Sequence, residues 1–232
     1  MIRVEGVSKR FRRNIVLDGV SLDVPDGATA VILGPSGVGK TVLLKIMAGL
    51  LAPDRGRVFH DGHRLGFGRF ADNRQLTGGL GYVFQNGALF DSLTVAENVA
   101  LVLEETARLG RAEIRSRTDE ALRRVGMAGS AALYPRALSG GMTRLVAIAR
   151  ALVSDPRCLF FDEPTTGLDP AIRERICTMI SELRERGRRT QVVVTHDLEA
   201  ARRLADDTYM LRAGKLIRAD RVRKEDYEQA YT

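Results

Sequence analysis

Eight consecutive residues, Gly34, Pro35, Ser36, Gly37, Val38, Gly39, Lys40 and Thr41, follow the pattern G-x-x-x-x-G-K-[ST] in full. That pattern is suited to holding a nucleoside triphosphate. Its glycines let the backbone curl until successive N–H groups converge on phosphate oxygens. A helix opening at the end of the loop adds its positive end, and Val42 stands in its first turn with the other nucleotide-binding positions. Lys40 can reach the terminal phosphates, and the Thr41 hydroxyl can ligate Mg²⁺. The loop alone marks a nucleoside triphosphatase or a kinase and does not choose between them.

A second group of polar residues lies at the ends of apolar runs. CLFFD (158–162) ends in the acidic pair Asp162-Glu163. In α/β sheets ligands sit at the carboxyl ends of the strands. Asp162 is therefore placed for a further contact to Mg²⁺, and Glu163 to orient or deprotonate an attacking water. GYVFQ (81–85) ends in Gln85, and QVVVT (191–195) runs into His196. With the phosphate loop, which follows the apolar run ending at Leu33, four such ends suggest one shared pocket, with Gln85 near the metal and the water and His196 near the terminal phosphate. His60 and His63 have no such company and read as structural.

A third motif, Leu138-Ser139-Gly140-Gly141-Met142, opens a helix. Serine followed by two glycines at a helix start makes a second anion-binding end. One chain with one phosphate loop has no second phosphate to offer it. A second copy of the chain supplies one, if two-fold symmetry sets each Ser-Gly-Gly against the other copy's nucleotide.

These groups must be positioned by elements whose periods can be read directly. Val20 to Val24 alternates strictly, as a half-buried strand does, and Ala28 to Leu33 is a short apolar run, as a fully buried one is. Helical patterns follow over Thr41–Leu50, Thr94–Leu103, Arg111–Arg124 and Ser139–Val153, the last capped by its serine. RVFHDG (57–62) reads as a strand, and residues 63–78 as a polar segment of unassigned shape. After Pro156 the sequence alternates CLFFD, a helix over Pro170–Arg186, QVVVT, a helix over Asp197–Ala205 and a hairpin over TYMLRAGKLIR. Strands alternating with helices predict a largely parallel, doubly wound α/β sheet. The chain reads as one unit, with 1–86 and 156–232 forming the catalytic core and 87–155 a helical insert.

Composition narrows the surroundings. The 232 residues are 44% hydrophobic and 28% charged, the balance of a folded domain. No run of about 18 apolar residues occurs, so no membrane span is expected. MIRVEGVSKRF lacks the apolar stretch of a secretory leader, so a cytoplasmic location is expected. Cys158 and Cys177 are far apart in sequence, and neither a disulfide nor a zinc site is expected. The net charge of +7 comes from arginines interleaved with Glu and Asp, the pattern of solvated helix faces. Nucleic acid is not an expected partner.

Taken in order, these motifs resemble the ABC transporter ATPases along essentially the whole chain. The resemblance identifies 34–41 as the P-loop, Gln85 as the Q-loop residue, 138–142 as the signature and 158–162 as Walker B. It also makes Glu163 the catalytic glutamate, Gly167-Leu-Asp169 the D-loop and His196 the switch histidine. Phe11 fits the aromatic that stacks on adenine. The implied fold is a RecA-like P-loop NTPase core with a mainly parallel sheet, an antiparallel N-terminal β subdomain and an inserted α-helical subdomain. The implied chemistry is hydrolysis of MgATP by a homodimer, with Lys40, Gln85, Glu163 and His196 catalytic. Ser139, Gly140, Gly141, Met142 and Asp169 would bind nucleotide across the dimer. The implied partner is an integral membrane permease, with the chain peripheral on the cytoplasmic face of the inner membrane.

One departure narrows the resemblance. The family's common signature ends in Gln, and Met142 cannot donate its amide hydrogen bond. LSGGM, with Phe84-Gln-Asn-Gly-Ala-Leu-Phe90 and Leu93-Thr-Val-Ala-Glu-Asn98, is similar to the ATPases of Mla/Mce-type lipid transport systems. That similarity implies phospholipid or a related lipid as cargo and an MCE-type lipid-binding partner. Another cargo, or a cell-division ATPase that moves nothing, remains the alternative. Tyr227 and Tyr231 near the C-terminus are four apart and would share a helical face.

Overall fold

A computed structural model describes residues 1–67, 79–106, 108–187 and 189–218. Tyr227 and Tyr231 lie outside the described residues, as does most of the polar segment 63–78.

The N-terminal third forms an antiparallel sheet. β1 (Ile2–Phe11) pairs with β2 (Asn14–Val24) on one side and with β4 (Arg55–His60) on the other, and β4 pairs with β5 (His63–Arg64). Ile2 and Val4 point inward between exposed neighbours, the period-two pattern of a sheet with one wet face, and the next buried residue, Val7, is three positions on. The alternating Val20–Val24 run is the end of β2. The earlier part of β2 and the part of β1 beyond Val4 are broken by register shifts at Val4/Val7 and Val7/Lys9, which blur their alternation.

The second sheet has the order β10-β9-β3-β8-β7-β6. β3 (Thr29–Leu33), β6 (Leu80–Val83), β7 (Cys158–Asp162), β8 (Thr190–Thr195) and β9 (Asp207–Arg212) are parallel neighbours. β10 (Lys215–Arg218) returns antiparallel at the edge. Every residue of β3, β7 and β8 is buried, so alternation vanishes. Phe160 and Phe161 are consecutive and face opposite cores. One core lies between this sheet, α1 (Lys40–Met47) and the antiparallel sheet. The other lies between the sheet and the remaining helices: α2 (Val95–Thr106), α3 (Arg111–Arg124), α4 (Gly140–Leu152), α5 (Pro170–Gly187) and α6 (Leu198–Leu204).

Local chemistry sets the helix ends. Thr94 and Glu97 form a reciprocal capping box at α2: the Thr94 N–H reaches the Glu97 carboxylate at 2.7 Å, and the Glu97 N–H reaches the Thr94 hydroxyl at 3.2 Å. Asp197 caps α6 by accepting from the N–H groups of Glu199 and Ala200. α1 stops at Met47, three residues earlier than the sequence pattern suggests, because Gly49 takes a left-handed φ of 74°. The arginine-rich face of α3 is solvated, with the i,i+4 pairs Arg117–Glu113 and Arg124–Glu120.

His60 sits within β4, in the core. Its Nε2–H donates to the Met47 carbonyl at 2.8 Å, its ring stacks near Phe160, and Nδ1 has no hydrogen-bond partner among the described residues. Burial lowers its affinity for a proton. The unfolded chain therefore takes up a proton below about pH 6.5 that the folded chain refuses. Stability is present above that pH and is lost as the pH falls, at up to about 1.4 kcal/mol per unit for one proton. In His60→Gln, which keeps a donor for Met47, chemical denaturation between pH 5 and 6.5 should show a shallower slope, by at most one proton. An unchanged slope removes His60 from that role.

Candidate nucleotide site

A cleft of about 260 Å³ opens at the carboxyl ends of β3, β7 and β8. Its floor is the loop from Ser36 to Gly39 together with the first turn of α1, and its walls are Gln85, Glu163, Thr166 and His196. The floor depends on its glycines. Gly39 has φ 112°, and a Cβ there would lie 2.6 Å from a Val16 methyl. No side chain caps α1 and no acid stands in its first turn. Its leading N–H groups thus remain available to an anion.

Lys40 is almost fully buried. Its ammonium donates to the carbonyls of Gly34 at 2.7 Å and Pro35 at 3.0 Å and pairs with Glu163 Oε1 at 3.0 Å. The other Glu163 oxygen accepts from the Thr166 hydroxyl at 2.8 Å, from His196 Nδ1–H at 2.9 Å and from the His196 backbone N–H at 3.3 Å. Burial alone would raise the Glu163 carboxyl, but Lys40, Thr166 and His196 outweigh it and hold it below the usual range. Glu163 also has a left-handed φ of 47°, pinned by its N–H to the Val194 carbonyl. Such a backbone costs on the order of 1–3 kcal/mol and is retained where the surroundings fix it.

Asp162 differs from its neighbour. Its carboxylate accepts from the Thr41 hydroxyl at 2.7 Å and from the Tyr82 hydroxyl at 3.2 Å. Burial still raises its pKa, helped by the charge of Glu163. A divalent cation would remove that penalty. Mg²⁺ uses one or two protein oxygens and fills its shell with phosphate and water, and Thr41, Asp162 and Gln85 offer oxygens of that kind. Among the described residues no group of three His, Cys, Asp or Glu could hold a metal alone. The donor set therefore fits a cation bound jointly with a phosphate ligand.

The structure brings Ser36, Gly37, Gly39, Lys40, Thr41, Val42, Gln85, Glu163 and His196 to one cleft. Gly34 and Pro35 support it from behind through Lys40. Gln85 reaches the cleft differently from the sequence expectation: β6 stops at Val83, and Gln85 is exposed in the following turn. Phe11 stands 46% exposed at the end of β1, with Lys9 over its ring, and is not a wall of the cleft. Ser139 caps α4 through the Met142 N–H, and Gly140 and Gly141 open that helix, with none of the four lining the cleft. Asp169 caps α5 by accepting from Ile172 N–H at 3.0 Å. Ser139, Gly140 and Asp169 are exposed, Gly141 is buried against Ile172, and Met142 packs half-buried on the helical core, away from the cleft of the chain's own phosphate loop.

Sequence reading missed Thr166 and Tyr82. Thr166 had a signal, a hydroxyl three residues after Glu163. Tyr82 had none, because its contact to Asp162 depends on the β6–β7 register. A larger cavity of about 800 Å³ lies at the opposite, amino ends of β7 and β8, near Arg124, Asp155 and Arg189. Its walls alternate in charge and neutralise one another, as Arg189 and Asp155 do. The convergent chemistry lies in the smaller cleft.

Residues 17–166 match the family described as ABC transporter. The chain is 40% identical over 218 residues to the sulfate/thiosulfate import ATP-binding protein CysA 1 of Agrobacterium fabrum, covering 93% of this chain and 62% of that protein. It is 37% identical over 217 residues to the intermembrane phospholipid transport system ATP-binding protein MlaF of Haemophilus influenzae, covering 94% of this chain and 82% of that one. Its fold is similar to that of a dimeric ATP-binding cassette in a post-hydrolysis state with ADP and Pi, with TM-score 0.87 and 32% identity over 93% of this chain and 96% of that one.

Proposed function

The chain belongs to the ABC transporter family as an ATP-binding, ATP-hydrolysing subunit that uses Mg²⁺, and we propose that it works as a homodimer powering a separate membrane permease for phospholipid or a related lipid. The observation that carries the ATPase reading is the buried Lys40–Glu163 pair at the end of an uncapped helix. In this reading Lys40 and the loop amides take the phosphates, and Thr41, Asp162 and Gln85 hold Mg²⁺, which offsets phosphate charge. Glu163 accepts the proton of the attacking water, and His196 orients Glu163 and stands near the terminal phosphate. Phe11 stacks on adenine. Ser139, Gly140, Gly141, Met142 and Asp169 act on the partner's nucleotide, which agrees with their absence from the chain's own cleft. Residues 87–155 act as the insert that passes closure to the permease. No helix among the described residues is long and apolar enough to cross a membrane.

Support for lipid cargo is the LSGGM signature with segments 84–90 and 93–98. These segments divide physically. Asn98 is fully buried, accepting from the Phe90 N–H and donating to the carbonyls of Phe90, Leu93 and Thr94. Its work is structural. Phe90 is 53% exposed and is free to meet a permease or an MCE-associated partner. A second reading, another cargo, is favoured by the 40% identity to the sulfate/thiosulfate protein. Tagging the chain in its native host, solubilising membranes gently and identifying bound proteins and lipids separates the two. A multi-span permease with an MCE-type protein and phospholipid is the expected recovery. A permease with a different soluble receptor keeps the ATPase and overturns the lipid cargo.

A further inference from the structure

Past Val83 the chain leaves the parallel sheet, and from Phe84 to Ala88 it is fastened to α4 instead. Arg144 Nη1 donates to the Phe84 carbonyl at 3.0 Å. Arg150 Nη1 and Nη2 donate to the carbonyls of Ala88 and Gly87, each at 2.6 Å. Between these grips the Gly87 N–H closes a turn on the Phe84 carbonyl at 2.9 Å. Gly87 rests so closely on α4 that a Cβ would lie 2.8 Å from the Thr143 methyl. Gly87 and Ala88 both hold left-handed backbones, with φ 73° and 46°. A non-glycine residue in that region needs its surroundings to fix it.

Both guanidinium groups are nearly buried, at 6% and 9% exposure, and neither forms an ion pair among the described residues. Burial weakens the hold of both on their protons. An apolar side chain would fill the same space without a buried charge, so packing alone does not account for arginine here. Arginine offers a planar fork with parallel donors at fixed spacing. The carbonyls of Gly87 and Ala88, consecutive in sequence, are what the Arg150 fork holds.

We propose that Arg150 is a positioning residue that locks the loop 84–88, and with it Gln85, to the helix that begins at Ser139. The proposal rests on the reading of the cleft as a MgATP site with Gln85 on the metal side. In a homodimer it has a consequence for coupling. Gln85 faces the chain's own nucleotide and Ser139 the partner's, so one rigid body made of loop and α4 links the two sites. Asn98 extends that body through Phe90, Leu93 and Thr94 to the start of α2.

Two measurements test the lock. In Arg150→Met and Arg150→Lys, ATP affinity measured in EDTA should stay within about twofold, because the phosphate loop is untouched. The Mg²⁺ concentration that half-saturates ATP hydrolysis should rise on the order of tenfold or more in Arg150→Met, the usual loss for a group that orients a metal ligand. Arg150→Lys, with a point charge able to reach one carbonyl, should fall between. A folded Arg150→Met with wild-type Mg²⁺ dependence overturns the proposal. The second measurement needs no variant and applies if the substitutions prevent folding. In wild type the Gly87 amide should exchange with solvent as slowly as the interior amides of α4, and exchange tenfold faster overturns the lock. A wild-type chain without ATPase activity would strike the functional reading, while the exchange result would still decide the lock.

Discussion

Glu163→Gln should bind MgATP at least as tightly as wild type and lose turnover by about a hundredfold to ten-thousandfold. The substitution keeps shape and volume but removes the charge and the ability to take a proton. In the wild-type cleft the Glu163 carboxylate is shared among Lys40, Thr166 and His196. Glutamine has one acceptor oxygen and an NH₂ group that cannot face an ammonium. Its oxygen can serve Thr166 and His196 or Lys40, but not all three. Lys40 is then released from a buried ion pair, and its charge is left for the phosphates. Binding measured by titration calorimetry should therefore hold or improve while phosphate release collapses. Phosphate release within threefold of wild type would take the base role away from Glu163.

The sequence made the P-loop, the acidic pair and the strand-end histidine legible because each is a local pattern with a local cause. Glycine spacing dictates loop curvature, and an apolar run ending in Asp162 dictates a buried strand with its acid at the rim. The same holds for β3, β7 and β8, whose five or six buried residues each leave a continuous apolar run. What stayed hidden depends on register or on distant chain. Tyr82 meets Asp162 only because β6 lies parallel to β7. Nothing in the sequence marks Arg144 and Arg150, and only the fold shows that their partners are carbonyls some sixty residues away. His60 was read as structural, and burial within β4 agrees with that reading. The pH dependence that follows comes from the depth of that burial, which the sequence alone does not reveal.

Lys40→Ala should fail at the preceding step, and the contrast between the two variants assigns the parts of the cleft. The ammonium is the cation most deeply set in the phosphate loop, 5% exposed, with two carbonyls and a carboxylate around it. Truncating one partner of a buried, hydrogen-bonded charge pair costs about 2–5 kcal/mol. ATP affinity should accordingly weaken by about a hundredfold, which corresponds to roughly 2.8 kcal/mol. The loss leaves the Glu163 carboxylate buried without its cation, so hydrolysis should not recover when ATP is raised to saturation. Lys40→Arg is the informative control. A guanidinium keeps the charge, but its planar fork is wider than the space an ammonium fills between the Gly34 and Pro35 carbonyls. It should resemble Lys40→Ala in ATP affinity. If Lys40→Arg binds ATP like wild type, the loop needs only a positive charge. If Lys40→Ala also binds like wild type, the loop at 34–41 is not where the phosphates sit.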